Sequence, residues 1–301
     1  MSLISLLFAL AAEKHLSSSA WQFNTFYLAY QRALSKSNFL NSHYGTAFFT
    51  GIFVLIPTVI VYSFFSFVDS DLLYLILSTV VLIVCFGCVQ TRDSYKNYLL
   101  AAFKGEPTTC EMHHWQLQQD KNQPDMHFGQ LLVWLNYRYY IAIMIFFVVF
   151  GPTGAVFYRL LTSVAESKGT ENCKMSDEDT EQSSALENED TLSEIPEQMT
   201  DACDAQKWLS WFDWVLVRVV SFGYMLVGHF SKAMPIWLEG ILDFSKPPYK
   251  LLTSVAEKSE DFMVDQDDCT AEPCLLVRLA KRTLLLCLSV ISILILAGVI
   301  S

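Results

Sequence analysis

Four blocks of the chain are apolar for long enough to reach across a lipid bilayer, and nothing else in the sequence restricts the fold as strongly. Gly45–Val68 is 24 residues without a charge, Leu72–Val89 is 18, Ile141–Tyr158 is 18 and Thr283–Ser301 is 19. A helix of about 20 apolar residues covers the hydrocarbon core. The chain is 52% hydrophobic with a mean hydropathy of +0.33. A soluble domain would disperse such residues along its elements, whereas here they are gathered into blocks. The expected fold class is therefore all-α: a polytopic transmembrane helical protein with cytoplasmic amphipathic helices and one acidic disordered loop.

That loop is residues 166–204. It holds 13 acidic residues against Lys168 and Lys174, which accounts for the whole net charge of −11. It has no aromatics and is rich in Ser, Thr, Asp and Glu, a composition that cannot bury enough surface to offset chain entropy. The expected organisation is an N-terminal membrane region, 1–165, with spans near 45–68, 72–89 and 141–158. After the acidic loop comes a C-terminal membrane region, 205–301, with spans near 211–230 and 283–301. The opening "MSLISLLFALAAEKH" lacks a basic n-region, and Glu13 and Lys14 follow the apolar run at once. It reads as a retained short membrane helix or re-entrant segment rather than a signal peptide.

Basic residues orient the spans through the positive-inside rule. Arg278, Lys281 and Arg282 precede the last span; Arg32 and Lys36 precede the first long span, and Arg92, Lys96, Lys104, Lys121 and Arg138 follow the second. Both flanks are expected inside, with Asp69-Ser70-Asp71 as an outer turn. Ile141–Tyr158 would then exit and leave the acidic loop outside, so 211–230 has to cross back.

The stretch "WFDWVLVRVVSFGYMLVGHFSKAMPIW", 211–237, is nearly as apolar as the other blocks yet carries Asp213, Arg218, His229 and Lys232. A charge in mid-bilayer is costly. Ser210 and Asp213 match a capping box, so the plain reading of Asp213 is a helix start. At 100° per residue, Trp211, Trp214, Arg218, Ser221, Phe222, Met225, His229 and Lys232 fall on one stripe. Either that stripe faces a polar interior or its cations snorkel to headgroups.

"YRLLTSVAE" (158–166) returns as "YKLLTSVAE" (249–257). Duplicated membrane proteins place sites between their halves, although a local duplication explains the pair equally well. In 90–140, a helical pattern stops at Gly105 and Pro107, and adjacent His113 and His114 are expected at the surface. No cysteine or histidine spacing suggests a metal, and Cys85 and Cys88 sit inside an apolar block where thiols pack. Pairing of Cys173 with Cys203 or Cys269 with Cys274 is left open. No P-loop, GxGxxG, GxSxG or HExxH occurs. Polar residues instead border the blocks: Asn136 and Arg138 before Ile141–Tyr158, Arg159 after it.

These borders carry a resemblance. "LVWLNYRYYIA" (132–142), "FGPTGAVFYRLL" (150–161), "FDWVLVRVVSFGYMLVGH" (212–229) and "KAMPIW" (232–237) are similar to the AmpE family of bacteria, within the superfamily of the CobD/CbiB cobinamide-phosphate synthases. The likeness covers nearly the whole chain. It departs at Leu216, where the pattern has Pro, and in the longer acidic loop. The resemblance implies a multi-pass inner-membrane protein tied to regulation of β-lactamase, encoded beside a cell-wall-recycling amidase. It implies Glu13, Asn136, Arg159 and Arg218 as remnants of the synthases' site, with Asp213, His229 and Lys232 particular to AmpE. The expectation is a regulatory or sensory modulator whose charges line one shared polar cavity. Besides the lipid bilayer, its partner would be an anionic cell-wall-derived or phosphorylated small molecule paired with Arg138, Arg159, Arg218 and Lys232; nucleic acid is not expected. The rivals are an ATP-dependent amide ligase, with ATP and a divalent metal as cofactors and Glu13 and Asp213 as metal or base groups, and a transporter of muropeptide-like solutes.

Overall fold

The computed structural model describes residues 2–13, 23–36, 47–179, 198–243, 246–260 and 270–298, and every element among them is helical. Helix α1 (Ser2–Glu13) lies along α4 (Asp71–Cys85), with the Ser5 and Ser78 hydroxyls 2.9 Å apart at their contact. Small residues allow that approach where lipid offers no hydrophobic drive. Helix α2 (Phe23–Lys36) crosses beside α3 (Ala47–Ser66). Pro57 in α3 has no N–H for the Phe53 carbonyl, and the Tyr30 hydroxyl of α2 donates to that oxygen at 3.1 Å. The freed backbone group is satisfied from a neighbouring helix, as an apolar setting requires.

The block 72–89 is not one straight span. After α4 the chain breaks at Phe86–Cys88, with Gly87 at φ +74°, and resumes as α5 (Val89–Phe103), bent by 45°. A left-handed φ costs a residue with a Cβ about 1–2 kcal/mol, and glycine almost nothing. The Gly87 N–H donates to the Tyr139 carbonyl at 3.3 Å. Helix α5 stops before Gly105, and Pro107 opens α6 (Pro107–Asp120).

The block 141–158 overturns the expected topology. Helix α7 (Phe128–Asn136) passes through a π turn, Tyr137–Ile141, into α8 (Ala142–Asp179), and α8 reverses at Gly151 (φ +70°, ψ −160°) and Pro152. Phe146 stacks on Tyr158 at 4.8 Å, and the Tyr139 hydroxyl reaches Glu166. In a straight helix, residues 139 and 166 would lie about 40 Å apart at 1.5 Å per residue. Gly154 lets the arms close, because a Cβ there would stand 2.5 Å from the Phe146 carbonyl oxygen. Lys121 Nζ lies 3.5 Å from Glu166 Oε2, so residues 121 and 166 share one end of the hairpin. Ile141–Tyr158 does not deliver the chain to the opposite side from Lys121. Nor does irregular chain begin at 166: α8 continues to Asp179 and α9 (Gln198–Val227) opens at Gln198, while 180–197 lie outside the described residues.

Helix α9 starts far before Ser210, so Ser210 and Asp213 are mid-helix rather than a capping box. It ends at Val227. The stripe therefore breaks before His229, and Trp211 on it is 67% exposed. Helix α10 (Phe230–Leu242) folds back along α9, the Trp237 indole donating to the Arg218 carbonyl at 3.1 Å. Helix α11 (Pro248–Ser259) ends against Gly228, and the His229 N–H caps the Ser259 carbonyl at 2.8 Å. Helix α12 (Ala271–Leu296) packs on α7 and α9, with Leu276 over Gly129 and Thr283 against Gly223. By length and apolarity 128–167, 205–227 and 271–296 qualify as spans, and α4 with α5 as a bent fourth.

Candidate functional site

Polar side chains gather where the hairpin meets α9. The Asp213 carboxylate is 1% exposed. Its Oδ1 accepts from the Tyr137 hydroxyl at 2.8 Å and the Tyr158 hydroxyl at 2.7 Å, while Arg138 Nη2 lies 3.4 Å from Oδ2. The π turn aims both Tyr137 and Arg138 at this carboxylate. One residue of extra winding rotates the side chains that follow, and such turns recur at functional sites. Arg138 lies against Trp134, its guanidinium carbon 4.8 Å from the ring, and its Nε has no hydrogen-bond partner among the described residues.

Arg138 and Asp213 line a cleft of about 420 Å³. Lys121 and Gln123 from the α6–α7 connection, Trp134, Glu166, Gln206 and Ser210 from three helices, and Pro247, Pro248 and Tyr249 at the start of α11 complete its walls. The Tyr249 ring sits edge-on to Trp134 at 6.3 Å. Lys121 is held over Tyr139, 5.1 Å from the ring, and paired to Glu166. Burial pulls the Lys121 ammonium down, but Glu166 and then Tyr139 more than offset this and hold it well above the ordinary lysine value. It is a permanent cation.

Arg159 is on the returning arm, beside this cluster but outside the cleft walls. Its guanidinium lies over Tyr139 at 4.4 Å and Phe23 at 5.2 Å, and its Nε and Nη1 lack partners among the described residues. Asn136 is half-buried with its Oδ1 likewise unpartnered. Among the described residues three cations, Lys121, Arg138 and Arg159, thus meet two carboxylates, Glu166 and Asp213. One positive charge is left over.

The remaining expected residues are elsewhere. Arg218 stands over Trp214 at 3.7 Å and donates to four backbone carbonyls: Trp214 at 2.8 Å, Gly240 at 3.3 Å, Ile241 at 3.4 Å and Asp243 at 3.1 Å. Three of these are the unsatisfied C-terminal carbonyls of α10. Arg218 closes that helix and does not face the cleft. His229, at the α9–α10 corner, and Lys232, on α10, are exposed and away from it. Glu13 closes α1, and its side chain lies outside the described residues. The single shared cavity expected for all these charges is not formed. His114 is half-buried and bonded to the Met126 carbonyl at 2.8 Å. Cys85, Cys88, Cys110, Cys274 and Cys287 are free, and no metal-binding group of three His, Cys, Asp or Glu occurs among the described residues.

Lys121, Tyr137, Tyr139, Tyr158, Glu166 and Tyr249 were not among the site residues expected from the sequence, yet the internal repeat brackets half of them. Its first and last residues are Tyr158 and Glu166 in one copy, Tyr249 and Glu257 in the other. Tyr158 and Glu166 bond within the cluster, Tyr249 walls the cleft, and Glu257 accepts from Gln130 of α7. Thr162 and Thr253 make the same 2.9 Å bond to the carbonyl four residues back.

A helical membrane protein with a polar, partly uncompensated cleft among its helices is the class that this geometry defines. The chain belongs to the AmpE family, whose model, described as regulatory signalling modulator protein AmpE, matches residues 1–301. It is 26% identical over 226 residues to Protein AmpE of Shigella flexneri, an alignment covering 72% of each chain. No solved structure matches it. As an AmpE-family chain it is a regulatory membrane protein.

Proposed function

We propose that this chain modulates β-lactamase induction from the bacterial inner membrane by holding an anionic small molecule, cell-wall-derived or phosphorylated, in the Arg138 cleft. The observation that carries the reading is Arg138 itself. It is 9% exposed, lines the cleft, and leaves Nε unpartnered although Asp213 takes its other end. A buried cationic donor without an acceptor costs about 1–3 kcal/mol or more, so the site holds more positive charge than Asp213 alone absorbs, and an anion entering the cleft meets that charge at its wall. Trp134 and Tyr249 offer it flat apolar walls, and Gln123, Gln206 and Ser210 offer polar contacts, the mixture common to small-molecule sites. The family description supports the regulatory output, and the link to β-lactamase comes with family membership.

Filling the cleft tests this without disturbing the buried pair. Ser210 is exposed at the rim, so Ser210→Trp should leave the amount of protein in the membrane unchanged. In a host with an inducible β-lactamase and no AmpE of its own, the variant should erase the difference in induced activity between cells with and without the wild-type protein. Wild-type induction by Ser210→Trp at equal abundance would refute the reading.

A further inference from the structure

The break between α4 and α5 carries two cysteines in different settings. Cys85 ends α4 and is 1% exposed, whereas Cys88 is the N-cap of α5 and half-buried. Packing accounts for a thiol enclosed as Cys85 is. Cys88 stands at the start of a 15-residue helix, whose first N–H groups have no partner within the helix. Thr91, three residues on, is a position whose N–H an N-cap side chain accepts from. Its hydroxyl and its N–H both lie beside the Cys88 sulfur.

A second, independent observation is the charge around that sulfur. The N–H of Gly87, the residue before Cys88, donates to the Tyr139 carbonyl at 3.3 Å, and the Tyr139 ring carries Lys121 at 5.1 Å and Arg159 at 4.4 Å. Both cations are within electrostatic reach of Cys88. Arg159 is 6% exposed, and its Nε and Nη1 have no acceptor among the described residues. Glu166, the carboxylate described beside them, is engaged by Lys121 and by the Tyr139 hydroxyl. Nearby cations and a helix N-terminus are what hold a cysteine in its nucleophilic thiolate form. The other half-buried thiols differ: Cys287 lies midway along α12, and Cys274 faces the Tyr95 hydroxyl at 3.6 Å.

We propose that Cys88 is a modification site, a nucleophilic thiol that takes an oxygen atom from hydrogen peroxide. The sulfur attacks one peroxide oxygen, and the S–O bond forms as the O–O bond breaks. The displaced oxygen leaves as hydroxide and picks up a proton to become water. Sulfur is oxidised to the sulfenic acid and the peroxide is reduced. The added oxygen is an acceptor beside the Thr91 donors and within the field of Arg159. A small uncharged oxidant suits a half-buried sulfur at the bend of an apolar helix pair, which a bulky charged disulfide does not. Cys88 is not among the walls of the Arg138 cleft, and its chemistry does not depend on what that cleft holds.

Purified full-length protein in detergent is treated with hydrogen peroxide in the presence of dimedone, which captures sulfenic acids, and labelling at each cysteine is followed by peptide mass spectrometry. Exposure alone predicts similar rates at the half-buried Cys88, Cys274 and Cys287. Cys88 should instead be labelled about tenfold faster than either, or more. The charged and titratable groups around its sulfur are Cys85 of α4, Lys121 before α7, Tyr139 of the π turn, and Arg159 and Glu166 of α8. Arg159→Gln, which removes one cation, should slow Cys88 by about threefold or more and move its alkylation by iodoacetamide to higher pH. Arg159→Lys, which keeps the charge, should restore most of the rate. A fold merely loosened by Arg159→Gln would speed the buried Cys85 and Cys110 instead, leave the pH profile of Cys88 in place, and overturn the assignment. A wild-type Cys88 that reacts no faster than Cys274 and Cys287 overturns it whether or not any variant folds.

Discussion

Replacing Asp213 by Asn removes one charge and almost no volume, and tests whether the Arg138–Asp213 pair holds the hairpin to α9. The wild-type carboxylate is 1% exposed and has three donors on it. Without it, Arg138 becomes a buried cation lacking its counter-ion, which costs about 3–5 kcal/mol. The amide oxygen, standing where Oδ1 does, can still accept from both tyrosine hydroxyls. At about 2–4 °C per kcal/mol for a large chain, the melting temperature should fall by roughly 6–20 °C. Buried Cys85 and Cys110 report unfolding through a thiol-reactive dye. The decisive comparison is the double variant. Arg138→Gln alone strands a carboxylate, whereas Arg138→Gln with Asp213→Asn places two neutral amides together. The double should therefore be more stable than the sum of the singles by about 2 kcal/mol or more, since contacting residues couple. A melting point for Asp213→Asn within 2 °C of wild type, or strict additivity, would refute the pair as the clasp.

Four further outcomes are expected. In a background without native cysteines, single cysteines at Gln119 and Ser167 should react with an impermeant maleimide from the same side of the membrane; labelling from opposite sides would remove the hairpin. Gly154→Val should sharply lower the yield of monodisperse protein, because its side chain would enter the Phe146 carbonyl. Gly105→Ala, at φ +74° with nothing within 4 Å, should cost only about 1–2 kcal/mol from backbone strain. Arg218→Gln should lose about 2–4 kcal/mol by orphaning carbonyls at the end of α10, with Arg218→Lys recovering part; an unchanged melting temperature in both variants would show that the cap is not structural.

Helicity and membrane character were legible because apolar length is a local property. Two breaks inside apolar blocks were not. Gly87 and Gly151 sit in runs whose hydropathy is continuous, and hydropathy does not report backbone dihedrals. A Gly-Pro pair such as Gly151-Pro152 signals a loosened helix, but a reversal depends on Gly154 lying opposite the Phe146 carbonyl, a contact eight residues away that no periodicity encodes. Asp213 was drawn towards the wrong local explanation. Ser210 and Asp213 satisfy the capping pattern, yet α9 begins upstream at Gln198 in a segment whose acidity argued against structure. The helical stripe through Arg218 was geometrically sound up to Val227, but a stripe fixes direction, not the partner, and α10 folding back supplied carbonyls instead of a ligand.

The three buried arginines differ in donor use rather than in charge, and that difference separates structure from site. A guanidinium carries five N–H donors. At Arg218 every nitrogen has a backbone acceptor, so a ligand would have to displace a helix end to bind there. At Arg138 one carboxylate takes Nη2 and Nε has no partner among the described residues; at Arg159 Nε and Nη1 have none among them. The two open arginines meet at Tyr139 and Glu166, within electrostatic reach of both. Asp213, by contrast, bonds Arg138 alone of the two. Neutralising Asp213 should therefore tighten anion binding in the Arg138 cleft. Neutralising Glu166 frees Lys121, which walls the same cleft, and should tighten it too. Unchanged anion affinity in both variants would show that neither carboxylate competes with the ligand.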